Sequence, residues 1–146
     1  MTLYVKNSVV SDGWTPSQKF GEQGGVVSVA AGAGVLGVPA QLLVARSIPP
    51  ANRAVLWLLD IRLPDGAGYD QMIFSLWHSG RAISPWDQIS GTEVQLIPTV
   101  DVAQEFGPGA LAVYATNISG TAWPGAGPAG AIRAIARLNG QLLNQS

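Results

Sequence analysis

His78 is the single histidine of this 146-residue chain, and a lone imidazole supports little chemistry. It cannot build a two- or three-histidine metal site, and a nucleophilic triad needs a Ser or Thr and a carboxylate that only the fold could bring to it. No G-x-S-x-G elbow is present to present such a nucleophile. Cysteine is absent, which removes disulfides, thiolate catalysis and cysteine-based zinc sites. The carboxylates Asp60, Asp70, Asp87, Asp101, Glu93 and Glu105 fall in different segments, with no spacing that argues for a glycosidase-type pair. Asp65 and Asp70 bracket the loop "PDGAG" (64–68) with two carboxylates, where an all-protein calcium cage takes about six to eight oxygens. "GEQGG" and "GAGVLG" are glycine-rich but lack the strand, helix and lysine context of a phosphate loop, so they read as turns. These residues imply no catalysis, no cofactor and no metal, and His78 reads as a packed or rim histidine.

The five tryptophans suggest recognition instead. Trp14, Trp86 and Trp123 sit in loop-like contexts ("DGWTP", "SPWDQ", "AWPGAG"). Exposed indoles stack on sugars, so these three tryptophans with Asp87 and Gln88 as polar partners would form a glycan platform. Loop tryptophans also seal sandwich ends or anchor subunit contacts, where aromatics are enriched. Charged and amide groups near these tryptophans are sparse, which favours the second use.

The elements that must position these residues are short and β-rich. The chain has the length of one domain and buries about two-thirds of its unfolded surface on folding. Runs rich in β-branched and aromatic residues recur between Gly, Pro, Asn and Asp clusters at 2–10, 25–31, 41–48, 53–63, 69–79, 92–100, 110–118 and 130–138. Eight short strands of this kind predict an all-β fold, a single antiparallel β-sandwich of jelly-roll type. Residues 1–24 would be an N-terminal arm or edge strand, and 25–146 the sandwich domain. "AIRAIARLNGQLL" (131–143) fits a helix through Ile132, Ile135, Leu138 and Leu142, or a strand with Ile132, Ala134, Ala136 and Leu138 inward. Gly130 and the Asn139-Gly140 turn signal favour the strand.

Charge is scarce: 12% of residues are charged, against about 25% in a typical globular domain, and the net charge is −1. The eight Lys and Arg are scattered singly, so no basic stripe supports direct nucleic-acid binding. The start "MTLYVKNSVVSDGW" lacks an apolar signal core, and no run of about 18 apolar residues could span a bilayer. A soluble protein made in a cytoplasm is the expectation.

The densest apolar stretch is "RAVLWLLDIRLPDGAGYDQMIFSLWHSG" (53–80). As a hairpin around 64–68 it would pair Leu63 with Tyr69, Arg62 with Asp70, Asp60 with Met72, Leu58 with Phe74 and Leu56 with Leu76. Alternation then puts Leu56, Leu58, Met72, Phe74 and Leu76 on one face, and Val55, Trp57, Leu59, Ile61, Ile73 and Trp77 on the other. A sandwich covers one face of a hairpin, so the second must be covered by loops, by the N-terminal arm or by another subunit. Exposing Trp57 and Trp77 would forgo several kcal/mol at about 25 cal/mol per Å². Subunit contacts are therefore expected at Trp57 and Trp77, with Trp14, Phe20, Phe106 and Trp123 as further anchors. The alternative is that "GVVSVAAGAGVLGVPA" (25–40) folds back over that face.

The stretch "AQLLVARSIPPANRAVLWLLDI" (40–61), followed by "ALAVYATNISGTA" (110–122), resembles small phage virion proteins: a strand, a short P-x-N-R turn at Asn52-Arg53, then an apolar strand. The resemblance implies a non-catalytic β-sandwich that packs in many copies on or in a capsid, located in the virion, with itself and other capsid proteins as partners. Low charge and two-faced apolar strands agree with a subunit of a closed assembly. The alternative on the same fold is a carbohydrate-binding module or lectin-like adhesin using Trp86, Asp87, Gln88 and Trp123.

Overall fold

The computed structural model describes residues 3–5, 8–10, 13–26, 28–35, 37, 39–62, 72–83, 89, 93–96, 105–119 and 134–145. Among the described residues every regular element is a strand: β1 (Leu3–Val5), β2 (Ser8–Val10), β3 (Trp14–Val26), β4 (Gln41–Ile48), β5 (Asn52–Arg62), β6 (Met72–His78), β7 (Arg81–Ala82), β8 (Glu93–Leu96), β9 (Glu105–Phe106), β10 (Gly109–Asn117) and β11 (Ala134–Gln145). No helix among them is long and apolar enough to cross a membrane.

Two antiparallel sheets carry the fold. The first has the order β3-β11-β5-β8, with β9 beside Ala54 and Val55 on the same edge of β5 as β8. The second has the order β4-β10-β6-β7, and β1 pairs with β2 in a separate two-stranded sheet. The inner faces share one core, to which Phe20, Leu56, Leu59, Ile61 and Leu138 come from the first sheet and Val44, Phe74, Leu76, Leu111 and Val113 from the second. This is an all-β sandwich arrangement.

Alternation explains most of the core. In β10, Leu111, Val113, Ala115 and Asn117 are buried inward, while Ala110, Ala112, Tyr114 and Thr116 take the opposite parity. The stretch 131–143 enters the structure as the strand β11, whose Ala134, Ala136 and Leu138 are fully buried. The Asn139-Gly140 pair is not a turn: β11 runs straight through it, paired with β3 on one side and β5 on the other.

The 53–80 hairpin does not form. β5 and β6 lie in different sheets, and residues 63–71 connect them. Asp60 stands opposite Arg137 of β11, and Arg62 opposite Ile135 of β11 and Glu93 of β8. The two-faced apolar character of β5 also has a local cause. Gly140 pairs with Leu56 and Asn139 with Leu58, so Trp57 is the extra residue of a β-bulge. The bulge switches parity, and Ala54, Leu56, Leu59 and Ile61 all reach the core. Strict alternation had assigned Leu59 and Ile61 to the far side.

The segment 25–31 differs too. β3 begins at Trp14 and ends at Val26, and residues 28–35 turn inward, burying Val29 and Ala33 in the core rather than covering an outer face. Asn117 pins them: its Nδ2 donates to the carbonyls of Val29 (3.3 Å) and Ala30 (3.2 Å), and its backbone N–H donates to Ala33 O (2.9 Å). Glycine-rich β3 is an edge strand of the first sheet.

At the sandwich margin Arg46 of β4 crosses from the second sheet to the first. Its Nη1 donates to Glu22 Oε1 of β3 at 2.9 Å, and its guanidinium lies 5.2 Å from the Phe20 ring centroid. Both partners keep partial solvent contact, so the ion pair itself is worth under about 1 kcal/mol and the stem packing adds to it. Arg46→Ala is expected to cost about 1 kcal/mol, a fall of about 3 °C in thermal midpoint by calorimetry, and Arg46→Lys should recover only part of it because the ammonium does not stack as a planar group.

Candidate functional site

The two outer faces of the sandwich differ in kind. On the first sheet Asp60, 1% exposed, accepts from Arg137 (Nη2 at 2.7 Å, Nε at 3.0 Å) and from Arg62 Nε at 3.1 Å. Arg53 pairs with Glu105 at 3.2 Å, and its guanidinium lies 5.5 Å from the Trp14 ring centroid. Val55 and Leu143 share that parity and are fully buried, and β2 lies against β5. This face is ionic and partly covered within the chain.

The outer face of the second sheet carries no charge at any described outward position of its three long strands. β4 contributes Leu42, Ala45 and Ser47, β10 contributes Ala110, Ala112, Tyr114 and Thr116, and β6 contributes Ile73, Ser75 and Trp77, as the cross-strand registers fix. Trp77 and Tyr114 stand edge to face, with centroids 5.8 Å apart and planes at 71°. The indole N–H donates to Ser75 Oγ at 2.8 Å, two residues back on the same face, which fixes the ring over the sheet. Ser79 (φ 51°) and Gly80 (φ 81°) both adopt left-handed backbone and reverse the chain tightly into β7. Gly80 thereby reaches the rim of a cavity of about 240 Å³ lined by Ala40, Trp77, Gly80, Ala110, Ala112 and Tyr114. Leu42, paired with Tyr114, projects beside it at 43% exposure.

Such a cavity can receive an apolar side chain or a ring edge. Its described lining residues include no acid, base or metal ligand. His78 lies elsewhere, on the inner parity of β6, with Nε2 2.9 Å from Gly107 O and its ring tilted 5.4 Å from that of Phe106. Among the described residues no group of three or more His, Cys, Asp or Glu side chains is placed to hold a metal.

The residues singled out from sequence do not converge. Trp14 lies on the outer face of the first sheet and Trp77 on that of the second. Phe20 and Phe106 belong to the interior, at 7% and 3% exposure, so the chain's own core accounts for their burial without a subunit contact. Trp57 marks the bulge of β5, and its side chain lies outside the described residues, as do Trp86, Asp87, Gln88 and Trp123 and the aspartate loop with Asp65 and Asp70. Sequence reasoning missed Leu42, Ala110, Ala112 and Tyr114. The signal was available in "ALAVYATN", where the residues alternating with Leu111, Val113 and Ala115 are small or aromatic instead of charged.

Comparison of the chain with protein-family models, with curated proteins and with solved structures finds no match in any of the three. The functional reading therefore rests on the geometry of these faces.

Proposed function

We propose that this chain is a non-enzymatic structural protein of a bacteriophage virion, a capsid or decoration subunit with a jelly-roll sandwich that works by self-assembly. The observation that carries the reading is the outer face of the second sheet, which has no charge at its described outward positions and on which Leu42 is exposed beside a cavity lined by the half-buried Trp77 and Tyr114. An exposed leucine beside an apolar recess on an uncharged sheet face suits an interaction surface.

Strand order supports the jelly roll. Counting β3 as first and β11 as eighth, with β8 and β9 taken together as sixth, one sheet holds strands 1-8-3-6 and the other 2-7-4-5. Two interleaved Greek keys produce this order, and the fold serves capsids, lectins and cupins. The segment that resembles phage virion proteins spans β4, the turn and β5. Asn52 closes that turn through its N–H to Pro49 O at 3.0 Å and ties it to β11 through Nδ2, 3.0 Å from Leu143 O. The proposed partners are further copies of this chain and other capsid proteins, in a particle assembled in a host cytoplasm. Glycan recognition through Trp86, Asp87, Gln88 and Trp123 is the competing use of the fold, and the apolar lining of the Trp77 cavity favours protein contact over a hydroxyl-rich sugar.

Negative-stain electron microscopy of the purified chain tests the proposal. Rings, shells or ordered arrays are expected. Isolated small particles, with specific binding on a glycan array, would overturn it in favour of the lectin-like use.

A further inference from the structure

Resting on the assembly reading, we infer that a second copy of this chain packs on the outer face of the second sheet across a two-fold axis, with Leu42 of each copy entering the Trp77–Tyr114 cavity of the other. An isologous interface needs projection and recess on one surface, because residue i meets j while j meets i. Leu42 and the cavity meet that condition: Leu42 pairs with Tyr114, which lines the cavity, and is 43% exposed.

Charge decides between the faces. A face with no charge at its described outward positions can lie against its own copy with no like-charge contact between them, whereas the first sheet's outer face would bring Arg53, Arg62 and Arg137 toward their counterparts and desolvate the ion pairs of Asp60. Area sets the strength. Three strands of this length, at about 3.3 Å per residue and about 4.8 Å between strands, span at most about 400 Å², and Ser75 and Ala112 within that span are already buried. A standard interface buries about 800 Å² per partner, so the pair forms reversibly with concentration and serves as one contact of a larger assembly.

Sedimentation velocity on the full chain tests this, run from the micromolar into the millimolar range on the unaltered protein, Leu42→Glu, Ala110→Phe and Gln23→Glu. Ala110 is exposed at the cavity, so phenylalanine fills the recess, and Gln23 is exposed on the other sheet. The expected result is a concentration-dependent dimer weakened at least about 100-fold by Leu42→Glu, since two leucines lose their burial, weakened also by Ala110→Phe, and unchanged by Gln23→Glu. If Leu42→Glu alters the circular dichroism, Leu42→Ala replaces it, with the same direction expected. Self-association that ignores both face variants would overturn this inference while leaving assembly through another surface in place. A chain that stays monomeric throughout would overturn it as well, and microscopy of the same sample then decides separately whether the virion reading stands.

Discussion

Gly140→Val is expected to lower stability by about 3 kcal/mol or more, the upper end of overpacking costs, seen as a fall of about 10 °C in thermal midpoint. Gly140 is buried in β11, the strand that joins β3 to β5, opposite the bulge at Trp57. A Cβ there would collide with the carbonyl oxygen of Val55 and stand 2.7 Å from Cζ of Phe20. The carbonyl is fixed by the strand ladder and the ring by the core, so neither can retreat without breaking pairing or packing. Gly107→Ala provides the comparison: its added Cβ meets nothing within 4 Å, and the midpoint should move by less than about 2 °C.

Asp60→Ala is expected to cost about 2 kcal/mol. Removing one member of a fully buried ion pair costs about 3–5 kcal/mol, because the remaining charge is left without a partner. Here the carboxylate is 1% exposed, but the Arg137 and Arg62 side chains are 36% and 46% exposed and turn partly to water, which reduces the penalty. Urea denaturation should show a lower midpoint with an unchanged slope, as for a loss of stability without a change in the surface exposed. Asp60→Asn, which keeps the shape and an acceptor but not the charge, should lie between the two. A double variant with Arg137→Ala should cost less than the sum of the single changes, since the two residues share one interaction.

Both predictions turn on contacts between distant parts of the chain, and the sequence was least legible there. Strand identity came from local pattern: β4, β5, β6, β10 and β11 follow runs of β-branched and aromatic residues, and the inward parity of Ala134, Ala136 and Leu138 follows from alternation. Partner choice did not. Pairing Arg62 with Asp70 satisfied charge locally, while in the fold Asp60 meets Arg137, 77 residues away. A bulge cannot be seen by counting alternate residues, so Leu59 and Ile61 were assigned to the wrong side of β5. β3 was hidden by its glycines, which weaken strand propensity yet are tolerated in a long edge strand paired along β11.

The candidate site divides in the same way. Trp77 announced itself by its burial value alone, as a large apolar side chain on the far parity of β6. The alanines beneath it carry no chemical signature, and only the cross-strand register shows that Ala110, Ala112 and Leu42 share a face with Tyr114 and Trp77. Of the residues most suggestive of chemistry, His78 contacts Gly107 and Phe106, and Asp60 and Glu105 pair with arginines.

The central claim is that the chain does its work by packing against its own copies. Multi-angle light scattering of the purified protein over a concentration series measures this most directly. The account predicts a mass that rises with concentration above the 15.2 kDa of one chain. A mass that stays at 15.2 kDa at every concentration would contradict it.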